Sequence, residues 1–503
     1  MKKNLLFILL IFSGVLCGLM QTRLNMPFLA FVSFAPMMYA LQTADGKGQL
    51  FKRFCAFFIP YYIVQTAFLV TVYKIVPMSE IPACAVMILC SVMLALWESF
   101  LMFLPVYLIR WLKRSPFTDM AVIALLITGG EWLQEHIFFL SFPWSAVWLT
   151  VTKSPLLIQS ANLLGCRFVT FIILTANGLL AQLVMSDKRI FAVCTLVALQ
   201  GANISYGAYS LNKCQKLSEN SEKLSVMCAQ DETEGAEKNN ISALKSAKSY
   251  ISILSENWEE NTDLVLLPET AVPDSYDEEN EEFRLISDFA VAKKCTVISG
   301  CFFDGTKEYN ALYACSPEGK ISSPYCKQVL VPFGEKIPFA FLFGADSLCE
   351  CSEKDKILPI KTGKYTIGSS ICIESIYPDI VRNQSAKGAE FLCVSTNDSW
   401  FGKSGARQQH FRHSIMRAAE NRKWLLRAGN CGISAIISPA GEVIQSRSQR
   451  EKGTVSGEIS VIEEKSLYAT TGDIFITLPA LLTVYAILRR FSKTNRSNLP
   501  TRS

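Results

Sequence analysis

The sequence predicts a multi-pass α-helical membrane domain joined to an α/β domain. Of the 503 residues, 50% are hydrophobic and only 18% are charged, and the mean hydropathy is +0.26. This composition is too apolar for an ordinary soluble protein. Long apolar stretches fill the first part of the chain, whereas shorter strand and helix patterns alternate in the part that follows. We therefore expect a membrane protein that carries a water-soluble domain.

Eight stretches are candidate membrane-spanning helices, because a helix needs about 20 apolar residues to cross a bilayer. They cover residues 4–20, 24–41, 54–75, 82–110, 118–138, 156–184, 189–208 and 471–490. The second stretch contains Pro27 and Pro36, and the seventh becomes polar after Gln200. The first follows Met1 and two lysines, as in a signal peptide, but no small-residue cleavage site comes after it. We interpret it as a retained span.

The distribution of positive charge predicts the orientation of these spans, because lysine and arginine in short loops stay on the cytoplasmic side. With Met1 in the cytoplasm, the loops expected inside are the basic ones. Their charges are Lys47, Lys52, Arg53, Arg110, Lys113, Arg114, Lys188 and Arg189, and the tail adds Arg489, Arg490, Lys493 and Arg496. The prediction is a membrane domain of seven spans over residues 1–208, an extracytoplasmic domain over 209–468, and a final span with a basic cytoplasmic tail over 469–503.

Charge and cysteine content exclude some function classes. The net charge is only +5, with no long basic run outside the tail, so nucleic-acid binding is not expected. Eleven of the seventeen cysteines lie between Cys214 and Cys431, and this odd number leaves at least one thiol free or paired between chains. We find no Walker loop, no GxGxxG and no zinc-type spacing, and we expect neither a metal nor an organic cofactor.

Alternating patterns predict the elements of the extracytoplasmic part, which at roughly 250 residues is large enough for its own core. The predicted strands are 225–230, 264–267, 296–303, 310–315, 365–371 and 391–395, and the predicted helices are 241–254, 279–293 and 406–423. A hairpin with its turn at Pro439 to Gly441 closes the domain.

Three reactive side chains lie at the ends of apolar runs. Cys372 follows the strand that begins at Thr366 and precedes a predicted helix, whose N-terminal amides would favour the thiolate. Glu269 ends the run Leu264-Val-Leu-Leu-Pro, and Lys327 opens the run Lys327-Gln-Val-Leu-Val. The types match a nucleophile, a base and a fixed cation. For each residue taken alone, a structural role is the simpler interpretation.

A papain-like mechanism would require a histidine, and the chain has three. His136 lies at a membrane edge. His410 and His413 lie three residues apart on a predicted helix, where a surface or core position is the simpler interpretation. Glu269 is therefore the expected proton acceptor for Cys372, provided that burial raises its pKa toward the working pH.

The order Glu, Lys, Cys resembles the carbon-nitrogen hydrolase (nitrilase) superfamily, and the surrounding motifs resemble the apolipoprotein N-acyltransferase family within it. The motifs are Leu266-Leu-Pro-Glu269-Thr, Tyr325-Cys-Lys327-Gln-Val-Leu-Val-Pro-Phe-Gly-Glu335, Ile371-Cys372-Ile-Glu374 and Ser395-Thr-Asn-Asp-Ser-Trp400-Phe-Gly402. Phe142-Pro-Trp144, Gln409-His410-Phe411 and Arg427-Ala-Gly-Asn430-Cys-Gly432 fit as well. The resemblance implies an αββα sandwich of nitrilase type for the α/β domain.

By this resemblance, Glu269 matches the general base, Lys327 the oxyanion-stabilising cation and Cys372 the nucleophile. Glu335 matches a second carboxylate that orients Lys327 or the incoming amine, with a loop salt bridge as the alternative. Glu374 matches an acidic position after the nucleophile, and a purely structural role is equally open.

The resemblance also implies substrate contacts. Trp144 and Trp400 match acyl-chain or lid contacts, with core packing as the alternative for Trp400. Asn310 matches a strand-edge amide. The sequence departs from the family pattern in two places. Ile373 stands where tyrosine is frequent, and Ala229-Gln-Asp-Glu-Thr233 replaces a turn rich in glutamine and asparagine.

The activity implied is the last step of bacterial lipoprotein maturation. A fatty acyl chain would pass from a membrane phospholipid, through a thioester on Cys372, to the α-amino group of the N-terminal diacylglyceryl-cysteine of an apolipoprotein. The resemblance places such an enzyme in the inner membrane, as a monomer with its catalytic domain on the periplasmic side. One alternative is a membrane-tethered amidase or nitrilase that hydrolyses a soluble amide, for which eight spans are excessive. Another is a non-catalytic scaffold, which would be favoured by an incomplete triad.

Overall fold

The computed structural model describes residues 3–24, 26–75, 79–111, 116–137, 141–233, 241–304, 308–331, 335, 358–402 and 404–481. The first part of the chain is helical. Its helices are α1 (Lys3–Thr22), α2 (Ala30–Ser33), α3 (Ala35–Gln42), α4 (Lys47–Thr66), α5 (Glu80–Tyr107), α6 (Pro116–His136), α7 (Pro155–Ile158), α8 (Ala161–Leu164), α9 (Cys166–Met185) and α10 (Arg189–Glu219). Short 3-10 segments lie at Pro27–Leu29, Ala67–Ile75, Leu108–Trp111 and Val147–Val151.

Within the described residues, five helices are long and apolar enough to cross a membrane. They are Asn4–Thr22, Lys47–Tyr73, Glu80–Tyr107, Cys166–Met185 and Arg189–Glu219. The predicted span 24–41 is divided into short helices, and the predicted span 156–184 becomes continuous only from Cys166, because Gly165 adopts a left-handed φ of +83°. The eight-span count therefore stays a prediction.

Helices α6 and α10 differ from the predicted spans, α6 in its composition and α10 in its length. Helix α6 carries Asp119, Glu131 and Glu135 among its 21 residues, so it is less apolar than a typical span. Helix α10 continues to Glu219, past the predicted boundary at residue 208. The last candidate, 471–490, is described only as far as residue 481, and the basic tail lies outside the described residues.

The second part of the chain is an α/β domain with two six-stranded sheets. Its strands are β1 (Lys223–Gln230), β2 (Leu264–Leu266), β3 (Thr296–Asp304), β4 (Glu308–Cys315), β5 (Tyr325–Cys326), β6 (Ile360–Lys361), β7 (Thr366–Ile371), β8 (Phe391–Asn397), β9 (Leu425–Asn430), β10 (Ser434–Ile437), β11 (Val443–Arg447) and β12 (Gly453–Ser460). Its helices are α11 (Ala243–Glu256), α12 (Glu281–Lys293), α13 (Pro378–Ala386), α14 (Ala406–Asn421) and α15 (Leu467–Thr471).

The strand order is β12-β1-β2-β3-β4-β5 in the first sheet and β11-β10-β9-β8-β7-β6 in the second. Strands β1, β2 and β3 run parallel, as do β7, β8 and β9. Parallel strands are usually buried on both faces, which explains their continuous apolar sequences. On β8, for example, Phe391 and Cys393 belong to the core between the sheets, whereas Leu392 and Val394 belong to the core on the opposite face.

Helices cover both outer faces of the paired sheets. Helices α11 and α12 pack on the first sheet, and α13 and α14 cover the second. The αββα sandwich expected from the sequence is thereby confirmed for the α/β part. Two-residue strands β5 and β6, and strands β9 and β12, were not predicted as strands.

The membrane helices and the second sheet share one hydrophobic core. Leu392 and Ile437 of the sheet, Ile415 of α14, and Trp148 and Ile158 of the membrane part all belong to it. Helix α14 lies between the two parts and is buried along its whole length, although much of its sequence is polar. The α/β domain is therefore packed onto the membrane helices and not merely tethered to them.

A buried ion cluster adds to this interface. The guanidinium of Arg167 on α9 lies 2.8 Å from Oδ2 of Asp473, which precedes the helix over 474–481, and it also contacts the carboxylate of Glu135 on α6. The Arg167 side chain is only 4% exposed. One cation thus joins two membrane helices to the start of the last candidate span, which directly follows the α/β domain.

We predict that Arg167→Met destabilises the detergent-solubilised protein, because it leaves Glu135 and Asp473 buried without their cation. Removal of one partner from a buried ion pair typically costs about 3–5 kcal/mol. The matched control is Lys213→Met, which breaks the exposed pair between Lys213 and Glu464, whose side chains are 37% and 41% exposed. An exposed pair contributes about 0–1 kcal/mol. Equal shifts in Tm for the two variants would contradict this account.

Candidate active site

The site lies where parallel strands from the two sheets end. Glu269 follows β2, Cys372 follows β7, and Asn397 is the last residue of β8. Two hydrogen bonds join the sheets at this edge: the hydroxyl of Ser395 donates to the carbonyl oxygen of Leu267 (2.9 Å), and the backbone N–H of Asn397 donates to Oε2 of Glu269 (2.9 Å). The carboxyl ends of facing parallel strands thus bring residues from distant parts of the chain together.

Lys327 is the buried cation of the site. It directly follows β5, and its Nζ lies 2.9 Å from Oε1 of Glu269 and 2.8 Å from Oε1 of Glu335. Burial alone would lower the pKa of Lys327, but the two carboxylates raise it well above its usual value. The ammonium therefore keeps its charge.

Asn310 on β4 fixes the two carboxylates that flank Lys327. Its Nδ2 donates to Oε1 of Glu269 (2.8 Å) and to Oε1 of Glu335 (3.0 Å). Oε2 of Glu335 in turn accepts the backbone N–H of Val331 (2.8 Å). Glu335 thus contacts Lys327, and Asn310 contacts both Glu269 and Glu335. The sequence suggested only that Glu335 and Asn310 lie near the site.

Cys372 adopts a left-handed backbone conformation with φ +50°. For a residue with a side chain this costs about 1–3 kcal/mol, and such outliers concentrate at functional sites. The residue begins a five-residue 3-10 turn, Cys372–Ile376, and the α-helix starts only at Pro378. The helix expected after Cys372, by way of Ser375 to Asp379, is therefore present, and a sharp backbone turn separates it from the strand.

The protonation state expected for Cys372 also changes. Burial raises the pKa of its thiol, the carboxylate of Glu269 raises it further, and the charge of Lys327 opposes both effects without cancelling them. The raised pKa favours the neutral thiol and opposes the effect of helix N-terminal amides, which would favour the thiolate. Any reaction at its sulfur requires a base, and Glu269 is the nearby carboxylate that interacts with it.

Glu374 holds the segment that carries Lys327 against strand β7, which ends before Cys372. Its buried carboxylate accepts the backbone N–H groups of Ile371 (2.7 Å), Val329 (3.3 Å) and Gln328, and the hydroxyl of Tyr325 (3.0 Å). Because β7 and the segment after β5 share this one acceptor, Glu374 fixes Cys372 relative to Lys327. The geometry corresponds to the structural alternative considered for this residue.

An apolar cluster separates the site from the membrane helices. This interface cluster contains Phe68, Trp144, Ile373, Ile376, Tyr377, Ile380 and Ala406, with Phe142, Val329, Val331 and Phe401 at its border. The ring of Trp144 is 2% exposed and lies 4.9 Å from that of Phe68 and 5.4 Å from that of Phe401. Ile373, which replaces a tyrosine frequent in the family, contributes to this apolar surface.

Trp400 and its neighbour Phe401 lie differently from the sequence expectation. Trp400 is partly exposed in the 3-10 turn Asp398–Phe401, and it is Phe401 that packs against the ring of Trp144. The proposed substrate contact of Trp400 stays a prediction.

Sequence reasoning missed a buried polar network behind Cys372. His410, interpreted as a surface or core residue, has its Nε2 3.1 Å from the carbonyl oxygen of Cys372 and its Nδ1 2.8 Å from Oδ1 of Asp398. Asp398 is also paired with Arg427, at 2.9 Å. All three lie in motifs that resemble the apolipoprotein N-acyltransferase family, and this resemblance is the sequence signal that points to them.

Comparison with known proteins agrees with this architecture. Residues 196–466, more than half of the chain, match the family described as carbon-nitrogen hydrolase. The chain belongs to the carbon-nitrogen hydrolase family. Residues 13–179 of this hydrolase-family chain match a second family, described as the apolipoprotein N-acyltransferase N-terminal domain. The resemblance recognised from the sequence motifs is thereby confirmed.

Two relatives align with this member of the carbon-nitrogen hydrolase family over most of its length. It is 27% identical to apolipoprotein N-acyltransferase of Geobacter metallireducens, over 93% of this chain and 92% of that protein. It is 29% identical to the protein of the same name from Aquifex aeolicus, over 88% of this chain and 95% of that protein. A crystal structure of carbon-nitrogen hydrolase from Helicobacter pylori G27 matches with a TM-score of 0.38 and 19% identity, covering 48% of this chain and 90% of that one.

We predict that the thermal stability of the Glu374→Gln variant depends less strongly on pH than that of the parent protein. Burial raises the pKa of Glu374 from its ordinary 4.5 to about 7, although backbone N–H groups and Lys327 oppose the shift. Between these values the folded protein holds a proton that the unfolded chain releases. The contribution of Glu374 to the free energy of unfolding therefore increases as pH falls from about 7 to 4.5 and is absent above that range.

Thermal unfolding of the parent and of Glu374→Gln at two pH values, one above and one within this range, measures the effect. The rise in Tm on acidification should be smaller in the variant. Glu219→Gln, at the exposed end of α10, is the matched control and should keep the parent's response. A variant that responds to pH as strongly as the parent would refute this role of Glu374.

Proposed function

We propose that this protein transfers a fatty acyl chain from a membrane phospholipid to the α-amino group of the N-terminal diacylglyceryl-cysteine of an apolipoprotein. One observation carries the proposal: the buried ammonium of Lys327 is held between two carboxylates beside Cys372, behind an apolar cluster that continues into the membrane helices. Such a site provides a base and a fixed positive charge for acyl transfer, together with an apolar approach for a lipid.

In the first step, Glu269 takes the proton of the Cys372 thiol as the sulfur attacks the ester carbonyl carbon of the phospholipid. The negative charge that forms on the carbonyl oxygen is stabilised by the Lys327 ammonium. Collapse of the tetrahedral intermediate breaks the ester C–O bond, and Glu269 returns the proton to the leaving oxygen of the lysophospholipid. The acyl chain remains on Cys372 as a thioester.

In the second step, the neutral α-amine of the acceptor attacks the thioester carbonyl carbon. Lys327 again stabilises the oxyanion, Glu269 accepts the proton from the amine nitrogen, and the C–S bond breaks. The departing sulfur recovers a proton from Glu269. The site has then returned to its initial state, and the amide product dissociates. Each step uses only side chains of this chain and the two substrates.

The raised pKa of the Cys372 thiol supports this sequence of steps. Since burial and the Glu269 carboxylate raise the pKa of Cys372, sulfur becomes nucleophilic only as Glu269 removes its proton. Asn310 and the Asn397 N–H hold the two Glu269 oxygens in place for that transfer.

The surroundings support lipid substrates over soluble ones. The interface cluster reaches from Phe68 in the membrane part to Ile373 beside the nucleophile, and both an acyl donor and a lipidated acceptor arrive through a bilayer. The names of the relatives, apolipoprotein N-acyltransferases, point to the same substrates. We place the enzyme in the inner membrane of a bacterium, as a monomer with its catalytic domain on the periplasmic side.

We predict that Cys372→Ser abolishes acyl transfer to a diacylglyceryl-cysteine peptide while membrane insertion is kept. Intact-mass spectrometry of the parent incubated with phospholipid should show one added acyl chain, which proteolysis assigns to Cys372. The control is Cys194→Ser, an exposed cysteine on α10, which should acylate like the parent. A parent that stays unmodified with phospholipid but hydrolyses small amides would instead support a membrane-tethered amidase.

A further inference from the structure

The imidazole of His410 lies directly behind the nucleophile and is fully buried. Its Nε2 lies 3.1 Å from the carbonyl oxygen of Cys372 and 3.0 Å from the hydroxyl of Ser375. The hydroxyl of Ser375 is itself 2.9 Å from the same carbonyl oxygen. The backbone carbonyl of Cys372 thus faces two side-chain groups that are able to donate a hydrogen bond to it.

The opposite nitrogen of the ring is fixed by charged groups. Nδ1 lies 2.8 Å from Oδ1 of Asp398, and the other carboxylate oxygen of Asp398 pairs with Arg427. The hydroxyl of Thr396, on β8, also donates to Oδ1 of Asp398 (2.9 Å). We assign a hydrogen to each ring nitrogen, because carboxylate and carbonyl oxygens only accept: Nδ1–H donates to Asp398 and Nε2–H donates to the Cys372 carbonyl.

Packing prevents the ring from moving elsewhere. The indole of Trp144 stacks on it with ring centres 5.8 Å apart, and the ring of Phe401 meets it edge-on at 5.8 Å. The preceding residue on α14, Gln409, donates to the backbone carbonyl of Trp144 (3.1 Å). His410 is therefore clamped between the membrane-part loop that carries Trp144 and the turn that carries Cys372.

His410 contacts Cys372, whose backbone conformation is strained. Cys372 is held at φ +50°, a conformation that persists only where surrounding contacts enforce it. A relaxed backbone would rotate the carbonyl and carry the sulfur away from Lys327 and Glu269. A hydrogen bond to that carbonyl opposes the rotation.

We propose that His410 is a positioning residue for the nucleophile: through Nε2 it holds the Cys372 carbonyl, and thereby the sulfur, in the geometry needed for acylation. The ring acts on the carbonyl oxygen of Cys372, and Asp398 with Arg427 fixes its orientation. The inference rests on the proposed function only in taking Cys372 as the group that becomes acylated.

Substitution of His410 by glutamine or by asparagine distinguishes the contact made by Nε2 from the contact made by Nδ1. His410→Gln places an amide N–H near the position of Nε2 and keeps the bond to the Cys372 carbonyl. His410→Asn places its amide near the position of Nδ1, so it keeps the contact with Asp398 and loses the one with Cys372. Both remove the same ring from the same packed position, and both should lower Tm to a similar extent.

The readout is the rate of acyl-enzyme formation in a single turnover, followed by intact mass with phospholipid and by nitrophenolate release with a p-nitrophenyl fatty ester. The Cys372→Ser signal is subtracted as background. We expect His410→Gln to acylate within about tenfold of the parent, as for one weakened hydrogen bond. We expect His410→Asn to be slower by about a hundredfold, as for a misplaced reacting group.

Equal rates for the two variants, or a rate for His410→Asn close to that of the parent, would overturn the proposal. If neither variant folds, Ser375→Ala tests the same carbonyl with little change in volume. It should acylate several-fold more slowly than the parent, and an unchanged rate would overturn the proposal. If the parent reacts with the nitrophenyl ester but not with phospholipid, the proposed donor is wrong, while the comparison of the His410 variants still decides their role.

Discussion

The architecture of the site depends on one buried cation. Lys327 is inaccessible to solvent, and an ammonium in such a place is tolerated only when carboxylates neutralise it. Glu269 and Glu335 do so from two different segments of the chain, and Asn310 holds both of them. The requirement to surround this charge brings the end of β2, strand β4 and the loop after β5 into one place. Glu374 then fixes that loop to the strand that ends at Cys372.

The second determining feature is the packing of the α/β domain onto the membrane helices. Helix α14 supplies it, with polar side chains that would be unusual in an ordinary core. Arg412, for example, donates to the backbone carbonyls of Met20 and Leu24 at the end of α1. Contacts of this kind hold the interface cluster, and hence the apolar side of Cys372, at a constant distance from the membrane part. The membrane helices are thus part of the architecture that positions Cys372.

The sequence predicted most of the strands, because runs such as Phe391 to Val394 are continuously apolar, and it predicted the convergence of Glu269, Lys327 and Cys372 through their motifs. It could not predict features that depend on distant contacts. Strand β12 contains polar residues and two glycines and becomes a strand by pairing with β1. The raised pKa of the Cys372 thiol follows from its burial beside Glu269. The buried position of His410 agrees with the core alternative, but its contacts with Asp398 and Arg427 could not be predicted, because these residues are near it only in the folded protein.

The most direct test of the central claim is a structure of the acyl-enzyme, with a fatty acyl chain on Cys372, determined by cryo-electron microscopy. The account predicts the thioester carbonyl oxygen at about 3 Å from the ammonium nitrogen of Lys327, and the chain lying beside Phe68 and Trp144. A carbonyl oxygen turned away from Lys327, or a chain that leaves the site toward the aqueous side, would contradict it.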